Sequence, residues 1–172
     1  MPLRRPNPKK KSDYMKRESG SARLERSPIH LLHRVGQCAS DIFAMEIGDA
    51  DLTPRQYAIL LTVSQNEGLS QTDLVERTGV DRSTLADIVR RMLKKGLLQR
   101  RRTKDDARAY AVKLTEEGWR LLRAAEPMVK RVDDKILSTL SGRQREQFLT
   151  DLQTIVEALS TPSALSAAGR RR

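Results

Sequence analysis

Residues 81–95 constrain this chain more than any other stretch. At about 100° per residue, Leu85, Ile88, Val89, Met92 and Leu93 gather on one side of a helix. Ser83, Asp87, Arg90 and Lys94 fall opposite, flanked by Thr84 and Arg91. Such a helix needs a core under one face and keeps a polar, largely cationic stripe on the other. Asp81 is placed to cap its start and Gly96 to end it.

The flanking segments narrow the choice. Upstream, Ser70-Gln71-Thr72-Asp73 opens a short helix through Arg77, and Thr78-Gly79-Val80 makes a tight turn. Downstream, Leu97–Arg102 and Ala109–Leu114 read as two short strands. The second alternates Tyr110, Val112 and Leu114 against Ala111 and Lys113, and a charged loop, 103–108, joins the pair. Short helix, glycine turn, amphipathic helix and basic hairpin form the order of a winged helix-turn-helix.

Further helices enclose this unit. Ser27-Pro28 opens a first helix with Ile29, Leu32, Val35, Ala39, Ile42 and Phe43 apolar, and Leu31, Cys38 and Met45 on a second stripe. So wide an apolar arc predicts cover on two sides, and Gly48-Asp49 ends it. Thr53-Pro54-Arg55-Gln56 caps the next helix, whose expected inner face is Tyr57, Leu60, Leu61 and Ser64, with Gly68 as the stop. Thr115-Glu116-Glu117 starts a long helix that Pro127 is expected to kink or break. It should resume through Val129, Val132, Ile136 and Leu140, and Ser141–Gln144 then caps a last helix. That helix carries Phe148, Leu149, Leu152, Ile155, Val156 and Leu159 on one face. The expected fold class is mainly α with a small β-wing: a DNA-binding lobe at 53–114 flanked by dimerisation helices at 28–52 and 115–159.

Charge is distributed unevenly. The 172 residues carry a net +11, but residues 80–113 alone hold eleven basic and four acidic side chains. Residues 1–27 hold nine basic and three acidic ones and read as a disordered basic arm; 160–172, ending in three arginines, reads as a frayed basic tail. What remains is mildly acidic. A basic stripe on an acidic body is the footprint of a polyanion-binding face.

Several classes are excluded or disfavoured. No run of 18 apolar residues and no secretory signal occurs, which predicts a cytoplasmic protein without membrane contact. The single cysteine, Cys38, permits no internal disulfide or cysteine-cluster zinc site. His30 and His33 are three apart, but no third ligand shares their helical spacing, so no metal is expected. Phosphate loops, dinucleotide glycine motifs, zinc-protease helices and nucleophile elbows are all missing, so an enzyme is not expected.

The stripe on helix 81–95 is instead what a recognition helix presents to the major groove of double-stranded DNA. Arg82, Ser83, Thr84 and Asp87, near its N-terminus, are candidates to reach base edges; Arg90, Arg91 and Lys94 are candidate phosphate contacts. Asp87 can accept from a cytosine amino group or pair with Arg90 or Arg91 one turn on, and the spacing favours the pair. On the hairpin, Arg102, Lys104 and Arg108 are further DNA contacts, with Arg108 entering the minor groove and Asp106 holding it in position. The first and last helices carry more apolar face than a small body can cover, which predicts a homodimer with two recognition helices about one DNA turn apart.

From about Leu31 to Leu159 these residues resemble the MarR family of bacterial winged-helix regulators. The most specific piece is Asp106-Ala-Arg108 followed by Ala109-Tyr-Ala-Val-Lys-Leu114-Thr115-Glu-Glu-Gly118, which is similar to the family's wing signature running into the following helix. Leu52–Tyr57 and Leu85–Leu97 also look like family segments. The resemblance implies an obligate homodimer on a palindromic operator, usually a repressor released by a small ligand. Relatives similar to this chain sense phenolic compounds, aromatic acids or their coenzyme A thioesters. On that basis His30, His33, Arg34, Arg55 and Tyr57 are ligand candidates, with Arg34 or Arg55 needed for an anion. Two alternatives stay open: oxidant sensing through Cys38, as some relatives do with a first-helix cysteine, and nonspecific architectural DNA binding.

Overall fold

The computed structural model describes residues 23–66, 68–102 and 110–160. The basic arm up to residue 22, the tail beyond 160 and the wing-loop candidates Lys104, Asp106 and Arg108 lie outside the described residues. The chain divides between Asp41 and Ile42 into two compact units.

In the first unit, α1 (Pro28–Ile47) begins at the expected proline. Its Ile29, Leu31, Leu32 and Val35 are solvent-exposed in the single chain, Ile29 to 80%.

The second unit holds the core. The last turns of α1 bury Phe43 and Ile47 in it. A 3-10 turn, Gly48–Ala50, leads to α2 (Pro54–Gln65). Thr53 and Gln56 close a full capping box there: the Gln56 amide donates to the Thr53 hydroxyl at 3.3 Å, and the Thr53 amide to Gln56 Oε1 at 2.9 Å. That reciprocal bond is why Gln56 is tolerated in a buried position. The buried face of α2 is Gln56, Ile59, Leu60 and Val63; of the expected inner face Leu60 is fully buried, and Tyr57 and Leu61 pack against the core beside it. Tyr57, Leu61 and Ser64 are half-buried at its edge.

Helices α3 (Gln71–Thr78) and α4 (Arg82–Lys94) follow. A second capping box, Ser70 with Asp73, starts α3. Gly79 ends it at φ 66°, a left-handed conformation that glycine adopts without steric cost, and its N–H returns to the Val75 carbonyl at 2.9 Å. Antiparallel strands β1 (Leu98–Arg102) and β2 (Tyr110–Leu114) pair Leu98 with Leu114, Arg100 with Val112 and Arg102 with Tyr110. The Val112 amide also donates to the Leu69 carbonyl at 3.1 Å, fastening β2 to the start of α3. Ala111 is buried together with Val112 and Leu114, so the expected two-sided alternation of β2 does not hold.

Helix α5 (Glu116–Ile136) runs unbroken past Pro127. A mid-helix proline removes one backbone donor, but Leu122, Ala125 and Val132 bury on both sides of it and fix both halves to the core. Leu140 falls in the turn beyond α5 rather than on it. In α6 (Gly142–Ser160), Phe148 and Leu152 are half-buried while Leu149, Ile155, Val156 and Leu159 remain exposed. No described helix is long and apolar enough to cross a membrane.

Candidate nucleic-acid interface

Local sequence builds α4 from its cap. Asp81 accepts from the Thr84 amide at 3.0 Å and from the Ser83 hydroxyl at 2.7 Å. These contacts, Thr84 first and Ser83 after it, hold the Asp81 carboxyl far below the ordinary carboxylate range. Leu85, Ile88, Val89 and Met92 are buried and Leu93 half-buried, which anchors the helix against rolling. Arg91 and Lys94 occupy the last turn, where cations suit the helix dipole. At the far end Lys95 Nζ donates to Asp51 at 2.5 Å, a bond between the helix C-cap and the segment leading to α2.

The outward face carries the residues expected to meet DNA. Arg82, Ser83, Arg90, Arg91 and Lys94 are exposed; Thr84 and Asp87 are half-buried. Asp87 bonds Arg90 through one oxygen and Arg91 through the other, the latter at 2.8 Å. The intrahelical pairing favoured by the spacing is therefore present. Arg90, and then Arg91, hold the Asp87 carboxyl below its usual range.

On the wing, Arg100 and Arg101 are exposed. Arg102 is placed by its backbone alone, at the end of β1. An open cleft gathers Gln71, Ser83, Ala86, Asp87, Arg90 and Arg100, joining the start of α3, the middle of α4 and β1. Sequence reasoning did not nominate Gln71 or Ala86. The available signal was positional: Gln71 is the first residue after the Ser70 cap.

The MarR family's model matches residues 50–109, from the end of the 3-10 turn into the wing loop. The transcriptional regulator HosA of Escherichia coli O111:H- is 35% identical over 135 residues, covering 78% of this chain and 98% of that protein. The chain belongs to the MarR family. It is accordingly a DNA-binding transcriptional regulator with a winged helix.

Solved MarR-type structures agree across most of the length. BpsR of Bordetella bronchiseptica, studied for regulation of its DNA binding by 6-hydroxynicotinic acid, superposes with TM-score 0.74 at 26% identity, over 77% of this chain and 95% of that one. The repressor CouR, bound to a 23-mer DNA duplex, gives TM-score 0.72 at 27% identity, over 77% and 94%.

The ligand candidates fall into both units. His30 is half-buried and His33 and Arg34 are exposed on the first part of α1. Arg55 is exposed on the first turn of α2 and borders a cleft with Pro54, Ala58, Thr78, Gly79, Val80 and Asp81. Tyr57 instead packs on Phe43, ring centroids 6.5 Å apart. Burial raises its phenol pKa, and the nearby charges of Glu126 and Asp133 add to the effect. Two residues apart on one helix, Arg55 and Tyr57 do not share a face. Cys38 is exposed on α1.

Proposed function

We propose that this MarR-family chain is a sequence-specific repressor, acting as a homodimer on a palindromic operator and released by a small aromatic acid or its coenzyme A thioester. The observation that carries the reading is the segregation of α4: Leu85, Ile88, Val89 and Met92 are buried, and its outer stripe is polar, cationic and open. Arg82, Ser83, Thr84 and Asp87 face base edges, and Arg90, Arg91 and Lys94 take phosphates. Arg102, Lys104 and Arg108 extend the contact along the wing, with Asp106 orienting Arg108 for the minor groove. CouR's complex with a duplex supports the same mode of use.

Dimerisation is supported by apolar residues left exposed among the described residues: Ile29, Leu31, Leu32 and Val35 on α1, and Leu149, Ile155, Val156 and Leu159 on α6. For the effector, the support is BpsR, whose DNA binding is regulated by 6-hydroxynicotinic acid, an aromatic carboxylate. Arg34 and Arg55 are the candidate anion partners, and His30, His33 and Tyr57 the candidate polar or stacking ones.

The test is a gel-shift titration on DNA upstream of the protein's own gene, with excess genomic competitor and a panel of aromatic acids and their coenzyme A thioesters. Competitor-resistant binding released by one compound supports the whole reading. Resistant binding that none releases removes the effector class. Loss of the shift to competitor removes sequence specificity and leaves an architectural DNA-binding protein.

A further inference from the structure

Helix α4 carries a single acid, Asp87, in the middle of its cationic outer stripe. Fold stability gives little reason for it. It lies in the second turn, beyond the reach of the N-terminal dipole, and its partners Arg90 and Arg91 are 76% and 60% exposed. Ion pairs of that kind contribute little to stability. In the cleft with Gln71, Ser83, Ala86 and Arg100, however, Asp87 faces the space that the reading above assigns to DNA.

The consequence follows from competition. Arg90 and Arg91 each give one guanidinium edge to Asp87, and a phosphate that draws them away leaves this carboxylate beside the polyanion. Stranding a carboxylate there is unfavourable unless a major-groove amino donor lies within reach. Every base pair carries one, N4 of cytosine or N6 of adenine, but its place across the groove depends on which strand holds it, so only some base pairs present it to a carboxylate fixed on α4. At such a base pair Asp87 exchanges its arginines for a hydrogen bond, and the arginines go to the backbone.

We propose that Asp87 is a specificity-determining residue that holds Arg90 and Arg91 away from DNA backbone until the sequence places a cytosine or adenine amino group within its reach. This rests on the reading of α4 as the recognition helix. The acid thereby reduces affinity for unrelated duplex more than affinity for the operator. Asp81 serves a different purpose: its carboxylate is consumed by the helix cap.

The experiment uses the full chain. A preferred sequence is first selected from randomised duplex DNA by the wild type. Fluorescence anisotropy then measures wild type, Asp87→Asn and Asp87→Glu on that duplex and on a scrambled one of equal length and composition, across a salt series. Asp87→Asn should bind scrambled DNA about 5–10-fold tighter, with a log–log salt slope steeper by about 0.9 for each arginine freed to a phosphate. Its ratio of selected to scrambled affinity should fall about tenfold. Asp87→Glu keeps the charge, so its scrambled affinity should stay near wild type while its selected affinity drops. An unchanged ratio in Asp87→Asn, or an equal loss on both duplexes, overturns the proposal, because Asp87 would then be neutral or merely a support for the arginines. If the wild type selects no sequence, the recognition-helix reading fails with it; if it selects one and the ratio does not move, only the role of Asp87 fails.

Discussion

Gly118 lies directly under the carbonyl of Leu97: a Cβ at residue 118 would stand 2.2 Å from that oxygen and 2.9 Å from Leu114 Cδ2. The close approach joins the turn after α4 to the start of α5. Around it, the Thr115 amide donates to Leu97 O at 3.1 Å and the Thr115 hydroxyl to Gly96 O at 2.6 Å.

Gly118→Ala should therefore be costly although it adds one carbon, because the clash is with backbone and cannot be relieved by a rotamer change. Overpacking of this kind costs about 3 kcal/mol, which for a chain of this size lowers Tm by roughly 6–12 °C. Differential scanning calorimetry checks it. A shift under one degree would mean that α5 slides freely on the wing base.

Asp81 should make stability depend on acid pH with a defined sign. Its folded-state pKa lies far below the ordinary value of 3.8, because Thr84 and Ser83 hydrogen-bond the ionised form. The unfolded chain thus takes up the proton first as pH falls. The cap's contribution is complete above the ordinary value and is lost progressively below it. Urea midpoints for the wild type should decline from about pH 5 to about pH 2.5 more steeply than for Asp81→Asn, which keeps a good N-cap without a titrating group. Parallel declines would assign the acid sensitivity to other carboxylates.

What the sequence revealed was local. Thr53 with Gln56 and Ser70 with Asp73 are three residues apart, and their boxes are present. The α4 face was legible because five apolar residues agree on one period over three turns. In α2 the same reasoning found Leu60, Tyr57 and Leu61 but missed Ile59 and Val63, and it missed Gln56 because a buried glutamine satisfied by Thr53 looks polar in sequence. Pro127 was overrated as a breaker because the burial of Leu122, Ala125 and Val132 is a tertiary property. Gly118 appeared only as part of a motif, and its role needed Leu97 placed against it. Most of the outer stripe of α4 was nominated from sequence, whereas the ligand candidates came from resemblance, and Tyr57 is packed against Phe43.

Glu46 on α1 was invisible for the same reason, its partners being 85 and 89 residues away. It accepts from Lys135 Nζ and, at 2.8 Å, from Arg131 Nε, and its own side chain is only 13% exposed. Both contacts, Lys135 first, hold its carboxyl below the usual range. Glu46→Ala should lower Tm more than Asp134→Ala, whose pair with Lys130 lies within one helix and in open solvent. Equal shifts in the two melting curves would reduce the Glu46 clasp to an ordinary surface pair.

The proposed homodimer is open to a direct test on α6, where Val156 and Leu159 are 61% and 60% exposed in the single chain. A buried apolar side chain contributes about 1.5–3 kcal/mol relative to an exposed one, and in a two-fold interface each substitution counts twice. Val156→Asp with Leu159→Arg should therefore convert a dimer into a monomer at micromolar concentration in sedimentation velocity. Neither residue belongs to the buried core, so helicity by circular dichroism should hold. The monomer presents one recognition helix instead of two spaced about 34 Å apart, and should lose at least about 100-fold in affinity for a palindromic duplex. A variant that stays dimeric would move the interface away from this face of α6. A monomer with undiminished affinity would mean that one α4 is enough.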